Sequence, residues 1–232
     1  MRILILIIFL LNINCKEKRD SYSINDKNDI KTLEKDKVIN ENLQSNQLID
    51  SVFFKLEEVN LPISSEFISN LVIENEGVYN IEEEIVKNKK AFSNELFTEV
   101  KSEKKTDDFF YNVTGKEFFP VFKKTNNNYT TVGSLVRYYG ENDIQGVFFI
   151  LSNFNKKGKQ IDYLIIYNRF LWEVNYEYNF TIDENFKITI DKKEENFWDE
   201  EKDDFIKEGE KPETKQYKES YLVNAKGLFV NV

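Results

Sequence analysis

Val174-Asn175-Tyr176-Glu177-Tyr178-Asn179-Phe180-Thr181-Ile182 alternates apolar and polar residues without a break, and Phe186, Ile188 and Ile190 answer it across Asp183-Glu184-Asn185. Strict period two over that length places one face of a strand inward, and a short polar break between two such arms reads as a hairpin. The pattern extends in both directions. Phe118 to Val136 holds two apolar arms around Asn126-Asn127-Asn128. Val147-Phe148-Phe149-Ile150-Leu151 and Ile161 to Tyr167 flank Asn155-Lys156-Lys157-Gly158. Tyr221 and Val223 lead through Asn224-Ala225-Lys226-Gly227 to Leu228, Val230 and Val232.

Two of these turns share the form Asn-x-Lys-Gly, with Gly where φ must be positive, which suits a type I turn followed by a G1 bulge. Strands joined by short turns with no helix between them pair antiparallel. The expected fold is mainly β, with α+β as the variant: an antiparallel meander, curled or stacked, and a short helical element near residues 80–90. Asn80-Ile81-Glu82-Glu83 has capping-box spacing, Ile81, Ile85 and Val86 share a face, and Lys87, Lys89 and Lys90 suit a helix C-terminus. Leu61-Pro62-Ile63 marks an edge or a turn.

The N-terminus obeys different rules. Met1-Arg2 precedes nine unbroken apolar residues, Ile3 to Leu11, and Asn12-Ile13-Asn14-Cys15 follows. Nine residues are too few to span a bilayer, which takes about 20, but they fit the apolar region of an export signal. Cys15 stands where a bacterial lipoprotein signal places the thiol that receives diacylglycerol. Asn14 departs from the small residue usual before that cysteine. Residues 1–14 therefore read as a lipoprotein signal peptide with lipidation at Cys15. Residues 15–47 read as a flexible polar tether, too poor in apolar residues to offset its ordering entropy. Residues 48–232 form the β domain. A cell-envelope protein held to the membrane by lipid alone is the expected localisation, since two or more acyl chains anchor stably.

Composition excludes much chemistry. The 232 residues contain no histidine and one cysteine, so Ser-His and Cys-His nucleophile pairs, His-ligated metals and disulfide frameworks are absent. A net charge of −9 argues against a nucleic-acid partner. There is no Walker loop or dinucleotide fingerprint, and no cofactor or catalytic residue is expected. Glu194 to Asp204 is rich in carboxylates but lacks the alternating ligands and turn glycine of an EF-hand loop, and reads as a solvated hairpin. Trp172 and Trp198 could stack on a sugar, although packing on the sheet is the default for both.

The short lipoprotein signal, the Lys/Asn/Ile-rich composition, Leu61-Pro62, Phe154-Asn155-Lys156-Lys157-Gly158-Lys159-Gln160-Ile161-Asp162 and the closing Gly227-Leu228-Phe229-Val230 together resemble uncharacterised lipoproteins of Bacteroidota, of the flavobacterial type. The resemblance covers the last half of the chain and implies an envelope lipoprotein without an assigned activity. The expected function is a non-catalytic envelope lipoprotein presenting a β-rich domain to a protein or glycan partner. The alternative is a carboxylate-dependent hydrolase acting on envelope glycans, which would need two acids at a set separation.

Overall fold

A computed structural model describes residues 53, 55–88, 91, 92, 97, 116–140 and 143–232. The expected signal peptide (residues 1–14), the expected tether (15–47) and Cys15 lie outside the described residues. The first half supplies small elements: β1 (Ile63–Ser64), α1 (Ser65–Ser69), β2 (Val72–Asn75), β3 (Val78–Ile81) and α2 (Glu83–Asn88). The second half supplies long strands: β4 (Glu117–Thr125), β5 (Tyr129–Tyr139), β6 (Gln145–Asn155), β7 (Gln160–Leu171), β8 (Val174–Ile182) and β9 (Ile188–Asn196). A small hairpin of β10 (Trp198–Asp199) and β11 (Asp204–Phe205) precedes β12 (Glu213–Val223) and β13 (Phe229–Asn231).

The fold is mainly β, as the alternation predicts. One sheet runs β13-β12-β9-β8-β7-β6-β5-β4, its neighbouring strands all antiparallel, and β1 joins β8. From β4 onward, neighbours in the chain are neighbours in the sheet, save that the β10–β11 hairpin separates β9 from β12. Among the described residues no helix is long and apolar enough to cross a membrane.

The continuous apolar runs of β6 and β7 are buried on both faces, unlike the one-sided alternation of β8 and β9. One core joins Phe119, Phe149 and Leu164 to Ile68 of α1, Ile81 of β3, Ile85 of α2 and the buried sides of β8, β9 and β12. The other joins Phe118, Phe148 and Ile165 to Phe53, Phe92 and Phe97. Phe97 lies 3.9 Å from Phe118, ring centroid to centroid, in a stacked arrangement.

The sheet curls without closing into a barrel. β7 pairs with β8 only over Asn168–Leu171, while farther along β8 the partners of Thr181 and Ile182 are Ser64 and Ile63. Side chains make the return contact instead. Asp162 Oδ2 accepts from the Phe229 N–H (2.8 Å), Asn153 Nδ2 donates to the Gly227 carbonyl (2.8 Å), and Asn128 Nδ2 donates to the Ala225 carbonyl (3.3 Å). The β12–β13 turn is thereby held against the β4–β5 turn, β6 and β7.

Several local expectations differ from the structure. The capping box at Asn80 does not form: Asn80 and Ile81 end β3, the Asn80 side chain accepts from the Ile81 N–H (2.8 Å), and the helix begins at Glu83. Pairing of β3 with β2 takes the backbone that the cap would need. Phe186 belongs to the turn at φ 63°, and Ile188 opposes Ile182. In the last strand Phe229 is the buried residue, while Leu228, Val230 and Val232 face outward.

Candidate functional site

The alternation that builds β8 and β9 continues past their apolar residues into charge. Three residues stand abreast in each register row of β8, β9 and β12: Phe180, Ile190 and Glu219; Tyr178, Lys192 and Tyr217; Tyr176, Glu194 and Lys215. Period two requires that Lys192 and Glu194 share the face of Ile188 and Ile190. Lys192 is fully buried, and its Nζ lies 3.1 Å from Glu219 Oε2. The ammonium also sits 4.8 Å from the centroid of the Tyr178 ring and 5.7 Å from that of Tyr217, within range of attraction to both π faces.

The two carboxylates draw on different donors. Glu219, 16% exposed at its side chain, also accepts from the Tyr221 hydroxyl (2.8 Å). Glu194 Oε1 accepts from both the Tyr178 hydroxyl (2.9 Å) and the Tyr217 hydroxyl (2.7 Å). Burial, followed by the hydrogen bond to Glu194, raises the Tyr217 phenol well above its usual range. Burial and then the Glu194 charge raise Tyr176 as well. The bond to Glu194 holds the Tyr217 phenol protonated, because ionising it would set two anions side by side.

The arrangement ties three strands together through charge-assisted hydrogen bonds in a setting of low dielectric. The Glu194 row and the Glu219 row lie four residues apart, about 13 Å of backbone along the strands, with the Lys192 row between them.

The residues singled out by sequence lie elsewhere. Trp172 and Trp198 each meet Phe205 of β11 edge-on, with centroids 5.5 and 5.4 Å away, so both indoles pack against the β10–β11 hairpin. The acidic run divides: Glu194 and Glu195 belong to β9 and are partly buried, where the sequence predicts a solvated hairpin, and only the stretch from Trp198 forms that hairpin. Asp199 Oδ1 accepts from the Glu201 and Lys202 N–H groups within its turn, and the Asp199 side chain pairs with Lys202. Among the described residues no three His, Cys, Asp or Glu side chains are grouped to hold a metal ion. Sequence reading passed over Lys192, Glu219 and Tyr217. The signal for Lys192 was present in Ile188-x-Ile190-x-Lys192, whose parity turns the lysine inward; Glu219 needed the register of β12, which the sequence does not display.

No family model, curated protein or solved structure matches the chain.

Proposed function

We propose that the protein is an envelope lipoprotein anchored through Cys15, and that its β domain serves as a non-catalytic binding or structural module for a protein or glycan partner. One observation carries the non-catalytic reading: the ionisable groups of the candidate site, around the buried Lys192, satisfy one another. Lys192 neutralises Glu219, and two phenols donate to Glu194. A general acid or nucleophile must instead be poised toward a substrate. The anchor reading rests on the nine apolar residues ahead of the only cysteine and on the resemblance to Bacteroidota lipoproteins.

The test uses the full chain in detergent with purified cell-wall glycan and envelope polysaccharide. No new reducing ends are expected. Release of reducing ends that Glu194→Gln or Glu219→Gln abolishes would establish the hydrolase alternative and overturn this reading.

A further inference from the structure

Among the described residues the outer edge of β12 is mostly open. Along one edge β12 pairs with β9 from Glu213 to Tyr221; along the other, β13 covers only Tyr221–Val223, and the Val232 N–H donates to the Ser220 carbonyl (2.9 Å). Backbone groups of an antiparallel strand point to its two edges on alternate residues. The Ser220 carbonyl faces the β13 side, so Thr214, Gln216 and Lys218 present their N–H and C=O groups to the same side. Among the described strands none pairs with them.

We propose that this edge pairs antiparallel with the same edge of a second copy of the chain, with the two Tyr217 residues facing each other on the twofold axis. A symmetric antiparallel pair must set one residue opposite itself. With Tyr217 in that position, Lys215 of each copy opposes Glu219 of the other, and Gln216 and Lys218 exchange backbone hydrogen bonds. Neighbouring registers place like charges face to face. An axis at Gln216 opposes Glu213 with Glu219, and an axis at Lys215 opposes two lysines, both unfavourable. Lys192 and Tyr221 both reach Glu219 through Oε2, so Oε1 is the oxygen that Lys215 of the second copy meets. Val232 at Ser220 ends the overlap, so each copy contributes Lys215–Glu219. That short ladder makes a reversible, concentration-dependent dimer. The inference rests on β12 alone and is independent of the lipid anchor and of the proposed non-catalytic role.

The experiment uses the full chain carrying Cys15→Ser in detergent micelles. Sedimentation over a wide concentration range should show a monomer–dimer equilibrium. Gln216→Pro removes an outward N–H that β9 does not use, so it should abolish the dimer and leave the melting temperature nearly unchanged. Under mild oxidation Tyr217→Cys should crosslink to itself as a dimer, and Lys215→Cys should not. A monomer at every concentration would overturn the proposal. So would a dimer indifferent to Gln216→Pro, or equal crosslinking at positions 215 and 217, either of which would place the contact on another surface. If Tyr217→Cys does not fold, sedimentation of the parent chain and of Gln216→Pro still decides.

Discussion

Lys192 is the residue on which the interior charge balance turns. A buried ammonium is tolerable because Glu219 stands 3.1 Å away and tyrosine rings flank it. Lys192→Met should therefore cost about 3–5 kcal/mol, chiefly by leaving the Glu219 carboxylate without its counter-ion, while Lys192→Met combined with Glu219→Met should recover most of that loss. Urea midpoints of the four proteins in the cycle check this, and a double variant no more stable than the single one would contradict it. The phenols add a dependence on pH. Tyr217 and Tyr138 are both raised above the ordinary 10.0, Tyr217 first by burial and then by Glu194, Tyr138 by burial above all. Below pH 10 the folded and unfolded chains both keep these protons, and the contribution to stability is whole. Above pH 10 the unfolded chain releases them while the fold retains them, so stability should fall as pH rises through that range. Phenolate absorbance followed beside circular dichroism should show these two ionising together with unfolding, whereas exposed tyrosines ionise before it.

The hairpin turns are where sequence and structure agree most closely. Asn155 Oδ1 accepts from the N–H groups of Lys157 and Lys159, Asn224 Oδ1 from those of Lys226 and Leu228, and Asp183 Oδ1 from those of Asn185 and Lys187. Gly158 and Gly227 take φ 71° and 82° in two of the turns, and Phe186 takes φ 63° in the third, where its ring packs on the core. Backbone cost and packing cost can be separated with two glycines. Gly209, at φ 90°, has open space around a new Cβ, so Gly209→Ala should cost only about 1–2 kcal/mol for the left-handed conformation. Gly227→Ala should cost more, because its Cβ would lie 2.9 Å from Ile161 Cδ1 and would disturb the carbonyl that Asn153 holds. Thermal melts rank the two, and equal losses would remove the role given to the return contact. Strands with one apolar face were legible because their period is fixed by the pleat. The arm Glu213–Ser220 was not, since the positions on the face of Lys192 are Glu213, Lys215, Tyr217 and Glu219 and carry no apolar alternation. The helix start was misplaced because pairing of β2 with β3 overrode a local cap.

At the scale of the molecule, a sequence of hairpins specifies a meander but leaves its curl open. The curl depends on Asp162 and Asn153 meeting residues 67 and 74 positions away, which no local pattern reveals. The two-sided burial of β6 and β7 is legible in their unbroken apolar runs. The segment Lys16–Gln47 shows no such pattern. A chain starting at Leu48 keeps Phe53 and Val59, the earliest buried core residues described, and should melt nearly as the longer mature chain does. A large loss of stability on that truncation would make the tether part of the core. Carriage of this β domain on a lipid anchor is the proposal that belongs to the whole molecule, and mass spectrometry of the protein recovered from membranes checks it. The expected mature N-terminus is Cys15 bearing a thioether-linked diacylglycerol; an unmodified Cys15, or a mature chain beginning elsewhere, would contradict it.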